Sequence, residues 1–276
     1  MIRARLAGAL RAHDSLLVAY SGGVDSAVVA VTARRVLGAE RVLAVLGVSP
    51  SLAEVQRAQA RAVAFDFAVP LLEVPTDELA DAGYVANAPD RCYFCKRELW
   101  RRLSEIAATR GFAAIADGTN ADDRADHRPG GRAGRERGIV SPLAEAGCTK
   151  HEVRALARAL GLPIWDAPAA PCLASRVLYG ITVTPDRLRQ VEHAEALLRE
   201  IGVTGDLRVR HRGGEARIEV EPPHIPVVRA HGDRIAGRLR ALGFERVTLD
   251  LAGYRRGSLL HADAGAVEVV GGAGVA

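Results

Sequence analysis

The chain is short of several things, and each shortage excludes something. Only four of its 276 residues are cysteine. That is too few for a disulfide-stapled secreted scaffold, so a reducing cytoplasm is the expected compartment. Aromatic residues make up 4%, which leaves little for the stacking platforms of an RNA-binding surface, and no added RNA-binding module is evident. No apolar run is long enough to span a bilayer. The opening stretch MIRARLAGALRAHDSLLVAY has no secretory pattern and reads as an amphipathic helix leading into a strand. Lysine is nearly missing: Lys96 and Lys150 are the only two among 37 basic residues. The patterns G-x-x-x-x-G-K-S/T and G-x-G-x-x-G are both absent, which excludes a Walker loop and a dinucleotide fingerprint.

What is there is an ordinary globular composition, 49% hydrophobic and 25% charged. The length suits one large domain, or one large and one small. A net charge of +4 and a pI near 9.1 suit a phosphorylated ligand or RNA without choosing between them.

The first 165 residues alternate apolar runs with helical patterns. Strands are expected at Leu16–Tyr20, Val42–Val48, Leu71–Pro75 and Ala113–Asp117. Helices are expected at Ser26–Val36, Leu52–Phe65, Lys96–Arg110 and Lys150–Leu160. Continuous apolar strands separated by helices predict an α/β fold, a doubly wound parallel sheet covered on both faces. The Arg- and Gly-rich stretch Asp123–Gly138 has no apolar period and reads as a long mobile loop. The Pro- and Ala-rich stretch Asp166–Arg176 reads as a domain junction. Beyond it come a helix (Pro185–Ile201), strands at Leu207–His211 and Ala216–Val220, a helix (Asp233–Leu242) and a strand (Arg246–Asp250). The expected division is 1–168, then a small α+β domain at 169–262 serving substrate binding or oligomerisation, then a frayed tail at 263–276.

SGGVDS, Ser21 to Ser26, follows a predicted strand and opens a helix. Glycines there let the backbone approach an anion, N–H groups point at it, and the helix dipole adds positive charge. The Ser21 and Ser26 hydroxyls add donors. Asp25 is out of place beside an anion unless it holds Mg2+ bridging phosphates. SGGVDS resembles the PP-loop of the ATP pyrophosphatases of the adenine nucleotide α-hydrolase superfamily. The resemblance implies that Ser21, Gly22, Gly23, Asp25 and Ser26 grip pyrophosphate while ATP is cleaved between its α and β phosphates and a substrate oxygen is adenylated.

An adenylated oxygen is a good leaving group, and a nucleophile must replace it. The chain offers thiols. Cys92 and Cys95 stand in DRCYFCK with C-x-x-C spacing, read as a loop after the third strand, and no second C-x-x-C pair completes a zinc site. Cys172 stands in APCLASR at the junction. In a doubly wound sheet, loops at the carboxyl ends of strands converge on the ligand, which makes Cys172 a candidate third partner of Cys92 and Cys95. Three cysteines can hold a 4Fe–4S cluster and leave one iron open to carry a sulfide. Alternatively, Cys172 attacks the adenylate itself as a thiolate. Against both stands the bland reading: an incidental pair and a small buried thiol. Cys148, at a helix start, is assigned to that second kind.

The ordered set SGGVDS, NAPDRCYFCK, DGTNADDRADHRPG, SPLAEAG, APCLASR, LRVRH and ARIEV resembles the LarE family over roughly residues 5 to 255. Those proteins are ATP-dependent pyridinium-3,5-biscarboxylate mononucleotide sulfur transferases, which act in the synthesis of the nickel-pincer cofactor of lactate racemase. The resemblance implies ATP and Mg2+, a small mononucleotide substrate, neither nucleic acid nor membrane as partner, and a homo-oligomer. It implies that the cysteine matching Cys172 is consumed in some members, becoming dehydroalanine, while members with three cysteines carry a cluster; Cys92, Cys95 and Cys172 match the second kind. It implies active-site roles for Ser175, Arg176, Glu195, Arg208 and Arg210. Asp117, Gly118 and Thr119 fall where nucleotide or Mg2+ contacts are expected, and Asp126, Arg128 and Arg132 could close over the phosphates. One acidic position of the family shortly after ARIEV has no counterpart in PPHIPVV. The rival reading within the superfamily is a tRNA thiolase with a cysteine-held cluster.

Overall fold

The computed structural model describes residues 2–125, 129–168, 170–255 and 266–269. The chain divides into two compact units. The first comprises Met1–Tyr84 and Asp90–Ala170; the second comprises Pro171–Ala276 together with the short segment Val85–Pro89.

The first unit holds β1 (Leu16–Ala19), β2 (Val42–Val48), β3 (Leu71–Pro75) and β4 (Ala114–Ala116). Its helices are α1 (Ile2–Arg11), α2 (Val24–Leu37), α3 (Glu54–Asp66), α4 (Ala82–Val85, which runs one residue past the unit's boundary), α5 (Arg91–Arg110), α6 (Pro129–Arg135), α7 (Pro142–Glu145) and α8 (Lys150–Leu160). The strands lie in the order β3-β2-β1-β4, all parallel. Both faces of β1 are buried. Leu16 and Val18 join a core with Leu6, Val28 and Leu156. Leu17 and Ala19 point the other way, into a core with Trp100, Leu103 and Ala107. That two-sided burial is why β1 reads as an unbroken apolar run rather than an alternating one.

Two expectations need correction. Cys92 and Cys95 are not in a loop: α5 begins at Arg91, so the pair occupies the helix's first turns. The Arg- and Gly-rich stretch is not an unstructured loop throughout, since a 3-10 turn (Asp122–Ala125) runs into its start and α6 falls within it. Pro129 opens α6 with its φ already set for a helix, and Ala133 and Gly134 are buried. The Arg132 guanidinium stacks 4.0 Å from the centre of the Tyr93 ring on α5, a cation–π contact that sequence periodicity does not register.

The second unit contains α9 (Pro185–Glu200), β5 (Leu207–Arg212), β6 (Glu215–Val220), α10 (Ile225–Ala230), α11 (Gly232–Ala241), β7 (Arg246–Asp250) and β8 (Ala266–Glu268). The sheet order is β5-β6-β7-β8, with β6 and β7 parallel and the other neighbours antiparallel. Leu207, Val209, Ile218, Val220, Val247 and Leu249 form its core with Leu197, Leu198, Ile235 and Leu239 of α9 and α11. Within the stretch read as a frayed tail, β8 pairs with β7. Val85–Pro89 falls in the first domain on sequence, but Asn87 ties it to the second unit. The Asn87 Nδ2 amide donates to the carbonyls of Val177 (3.3 Å), Leu178 (2.9 Å) and Ile181 (2.9 Å), while the Gly180 N–H bonds Asn87 O at 3.1 Å. Asn87 sits at φ 55°, a left-handed conformation that asparagine tolerates.

Candidate functional site

Chain order reverses direction across the sheet between β1 and β4. In such sheets ligands settle outside the carboxyl ends of the strands at that reversal. SGGVDS follows β1 and Asp117–Thr119 follows β4, so two of the predicted groups meet there. The loop is internally braced. Ser26 Oγ donates to Gly23 O (3.1 Å) and accepts the Ser21 N–H (3.2 Å), and the two hydroxyls lie 3.1 Å apart. Gly22 adopts φ +74°, and a Cβ there would stand 2.5 Å from the Ala60 Cβ, so the loop rests directly on α3. Val24, Asp25 and Ser26 are the first residues of α2, and the first bond inside the helix is Ala27 N–H to Gly23 O at 2.9 Å. Their N–H groups therefore have no intrahelical partner. Gly118 is needed for the same reason on the other side: a Cβ there would lie 2.8 Å from the Ser26 nitrogen.

The carboxylates around this cradle are held. Asp117 Oδ1 accepts the Thr119 N–H (3.0 Å) and the Ser141 hydroxyl (2.8 Å), and its Oδ2 accepts the Thr119 hydroxyl (2.7 Å). Asp25 Oδ1 accepts from the buried Asn120 amide at 3.2 Å, and Asp25 Oδ2 pairs with the Lys150 ammonium. Asn120, Ser141 and Lys150 were not assigned to the site on sequence. A signal existed for Lys150: it is the first residue of α8, where the helix dipole disfavours a cation. Among the described residues, no group of three or more His, Cys, Asp or Glu is gathered as a metal cage. Mg2+ does not need one, since it is commonly held by one or two carboxylates plus phosphates and water; Asp25 and Asp117 fit that role as hard oxygen donors.

The cysteine helix lies in the first unit. Cys92 is exposed and Cys95 half-buried. Three residues apart on a helix, they share a face. Lys96, next in sequence, lies 5.2 Å from the centre of the Trp100 ring, and a Cβ on Gly130 of α6 would lie 3.1 Å from the Lys96 Cγ. Arg132, also of α6, lies over the Tyr93 ring. Asp126 and Arg128 lie outside the described residues. Cys148 is fully buried, and burial raises its thiol above the ordinary range.

The second unit gathers the remaining candidates. Cys172 is half-buried and precedes a 3-10 turn at Leu173–Arg176. The Ser175 hydroxyl donates to Cys172 O at 2.7 Å, and Arg176 Nη1 donates to Cys172 O at 3.0 Å and to Pro171 O. Arg176 also pairs with Glu195 of α9. Arg210 donates to Ser175 O (3.1 Å) and pairs with Glu219 at 2.9 Å. Arg208 lies over the Tyr254 ring at 5.1 Å. Burial first, then the nearby Arg176 charge, pulls the Arg208 guanidinium below its ordinary value. Arg208 and Arg210 do share one side of β5, opposite the core residues Leu207 and Val209, but that side is buried rather than solvated. Glu219 and Tyr254 were missed on sequence. Glu219 was legible in principle, because alternation along β6 sends it to the arginine side, and it stands directly opposite Arg208.

The chain is similar to known proteins along most of its length. A family described as being of unknown function (DUF7411) matches residues 15–157. An uncharacterized protein of Synechocystis is 45% identical over 250 residues, covering 89% of this chain and 92% of the relative. The pyridinium-3,5-bisthiocarboxylic acid mononucleotide synthase of Lactiplantibacillus plantarum is 38% identical over 257 residues, 93% of each chain. An uncharacterized protein of Methanocaldococcus jannaschii is 28% identical over 243 residues, 88% of this chain and 92% of the relative.

Proposed function

Since the chain belongs to the LarE family, that of the pyridinium-3,5-bisthiocarboxylic acid mononucleotide synthases, we propose that it is an ATP-dependent sulfur transferase acting on pyridinium-3,5-biscarboxylic acid mononucleotide. The observation that carries this reading is the phosphate cradle at the reversal of the parallel sheet. There the first N–H groups of α2 are left without intrahelical partners, and only a glycine at position 118 leaves room beside Ser26.

In the proposed reaction, Ser21, Gly22, Gly23 and Ser26 hold the β and γ phosphates. A carboxylate oxygen of the mononucleotide attacks the α phosphorus, the bond to the β-phosphate oxygen breaks, and pyrophosphate leaves into the cradle. Mg2+, held by Asp25 and Asp117, would offset the charge on the phosphates. The acyl group is then activated, with AMP as its leaving group. Where no cluster supplies the sulfur, the Cys172 Sγ, as thiolate, attacks the acyl carbon; a C–S bond forms, the C–O bond to AMP breaks, and its electron pair departs with AMP. Loss of the Cys172 Cα proton then breaks the Cβ–Sγ bond, whose electron pair leaves with sulfur as the thiocarboxylate, and dehydroalanine remains at position 172. Arg176 fixes the backbone of the Cys172 loop and is itself held by Glu195. Arg208 and Arg210 supply positive charge for the anionic mononucleotide.

Cys92, Cys95 and Cys172 would together hold a 4Fe–4S cluster. The donor set fits in kind, being thiols, two of them on one face of a helix. Such a cluster would supply a transferable sulfide in place of the cysteine's own sulfur.

The test is pyrophosphate release from ATP with and without the mononucleotide. Release that depends on the mononucleotide and disappears in Asp25→Asn supports the reading. Release of inorganic phosphate and ADP instead overturns it.

A further inference from the structure

Lys150 is doubly out of place. It is one of two lysines in a chain that otherwise uses arginine, and it stands at the positive end of α8. It is not there to cap the helix. Thr149 and Glu152 form the capping box, and the Lys150 N–H is already taken by Asp122 Oδ2 at 2.8 Å. Its ammonium reaches instead into the PP-loop, where its only described side-chain partner is Asp25 Oδ2. Asp25 cannot turn freely towards another partner. Asn120, which is 3% exposed, donates to its other oxygen. The orientation of Asn120 is itself fixed, because its Oδ1 accepts the N–H groups of Asp122 (3.0 Å) and Asp123 (3.2 Å).

The pair is not sealed. The Lys150 side chain is 41% exposed and Asp25 24%, so an anion arriving at the loop can reach the ammonium. A lysine suits such an exchange. Its charge is compact, it has three donors on a flexible stem, and a phosphate competes well with a single carboxylate for it.

We propose that Lys150 is the cation that meets the pyrophosphate end of the nucleotide, and that Asp25 holds it in position while the loop is empty. The proposal rests on the reading above that this loop binds ATP. Pyrophosphate draws Lys150 from Asp25, and Asp25 is thereby released to a divalent cation. Lys150 thus makes the two events dependent on each other: nucleotide arrival exposes the carboxylate that the metal needs.

The test is calorimetric binding of inorganic pyrophosphate to the full chain without divalent cations. Wild type, Lys150→Gln, Lys150→Arg, Asp25→Asn and the double variant Asp25→Asn/Lys150→Gln are compared. Loss of one charge-assisted contact predicts that Lys150→Gln binds roughly tenfold or more weakly, and that Lys150→Arg retains most of the affinity. Asp25→Asn binds more tightly than wild type, because its lysine is no longer engaged. That gain shrinks when Asp25→Asn is introduced into the Lys150→Gln background, a coupling that loss of a negative charge alone does not produce. Equal affinity of Lys150→Gln and wild type, or an undiminished gain in the double variant, overturns the proposal while leaving the ATP reading intact. No pyrophosphate binding by wild type overturns the proposal, and binding that stays absent when Mg2+ is added overturns the ATP reading as well.

Discussion

Arg176 and Glu195 face each other through two hydrogen bonds, Nε to Oε1 at 2.9 Å and Nη2 to Oε2 at 3.1 Å. Glu195 Oε1 also accepts the Val209 N–H at 3.1 Å. One carboxylate therefore joins the Cys172 loop, α9 and β5 within the second unit. The Arg176 side chain is 6% exposed. Glu195→Ala leaves that guanidinium buried without its counter-charge. The expected cost is roughly 3–5 kcal/mol, read as a lower midpoint in urea unfolding. Sulfur transfer falls with it, because the Arg176 bond to Cys172 O loses its anchor.

Gly118→Ala places a methyl group 2.8 Å from the Ser26 nitrogen. The obstacle is backbone, not a flexible side chain, so the Ser21–Ser26 loop must shift. The variant is expected to fold at a cost of roughly 1–3 kcal/mol. It should lose pyrophosphate binding by at least about tenfold, the worth of one good charge-assisted donor. Calorimetry on the variant and wild type at one ionic strength checks this.

His211 gives the second unit an acid sensitivity. It is 2% exposed, its Nε2 is 2.9 Å from Gln190 Oε1, and its Nδ1 has no partner among the described residues. Burial, and secondarily the Arg187 charge, lowers it to about 4 from an ordinary 6.5. The folded state thus keeps it neutral while the unfolded chain takes up a proton first. Stability falls as pH drops below about 6.5, by at most ~1.4 kcal/mol per pH unit, and the loss levels off below about 4. Subtracting the pH profile of His211→Phe from that of wild type should isolate this slope. A difference that is flat between those limits contradicts it.

Iron and acid-labile sulfide should be found on protein purified without oxygen, at about four of each per chain. Both should be lost in Cys92→Ala and in Cys95→Ala. Wild type free of both would remove the cluster from the account. Cys172 would then be a sulfur donor consumed once per transfer.

Much of this was legible in the sequence, and the reasons differ by element. The four strands of the first sheet end within a residue or two of their apolar runs, and for β1 and most of β2 the reason is that two-sided burial writes itself as hydrophobicity. SGGVDS could be placed because a strand, a glycine pair and a helix start are all local features. Asn120 and Ser141 could not, since their roles come from contacts across long sequence separations. The start of α5 was missed because DRCYFC has no apolar period; Tyr93 is held instead by Arg132 and by its hydroxyl bond to Glu136 at 2.9 Å. Spacing alone puts Arg208 and Arg210 on one side of a strand without deciding whether that side is solvated. Their burial depends on Glu219 and Tyr254, contributed by other stretches of the chain.

The most direct test of the central claim is the mass of the mononucleotide after incubation with ATP, Mg2+ and protein purified without oxygen. The account predicts a product in which a carboxylate oxygen has been replaced by sulfur, formed in step with AMP and pyrophosphate, and absent with Cys172→Ser. A mononucleotide of unchanged mass while wild-type protein consumes ATP would contradict it.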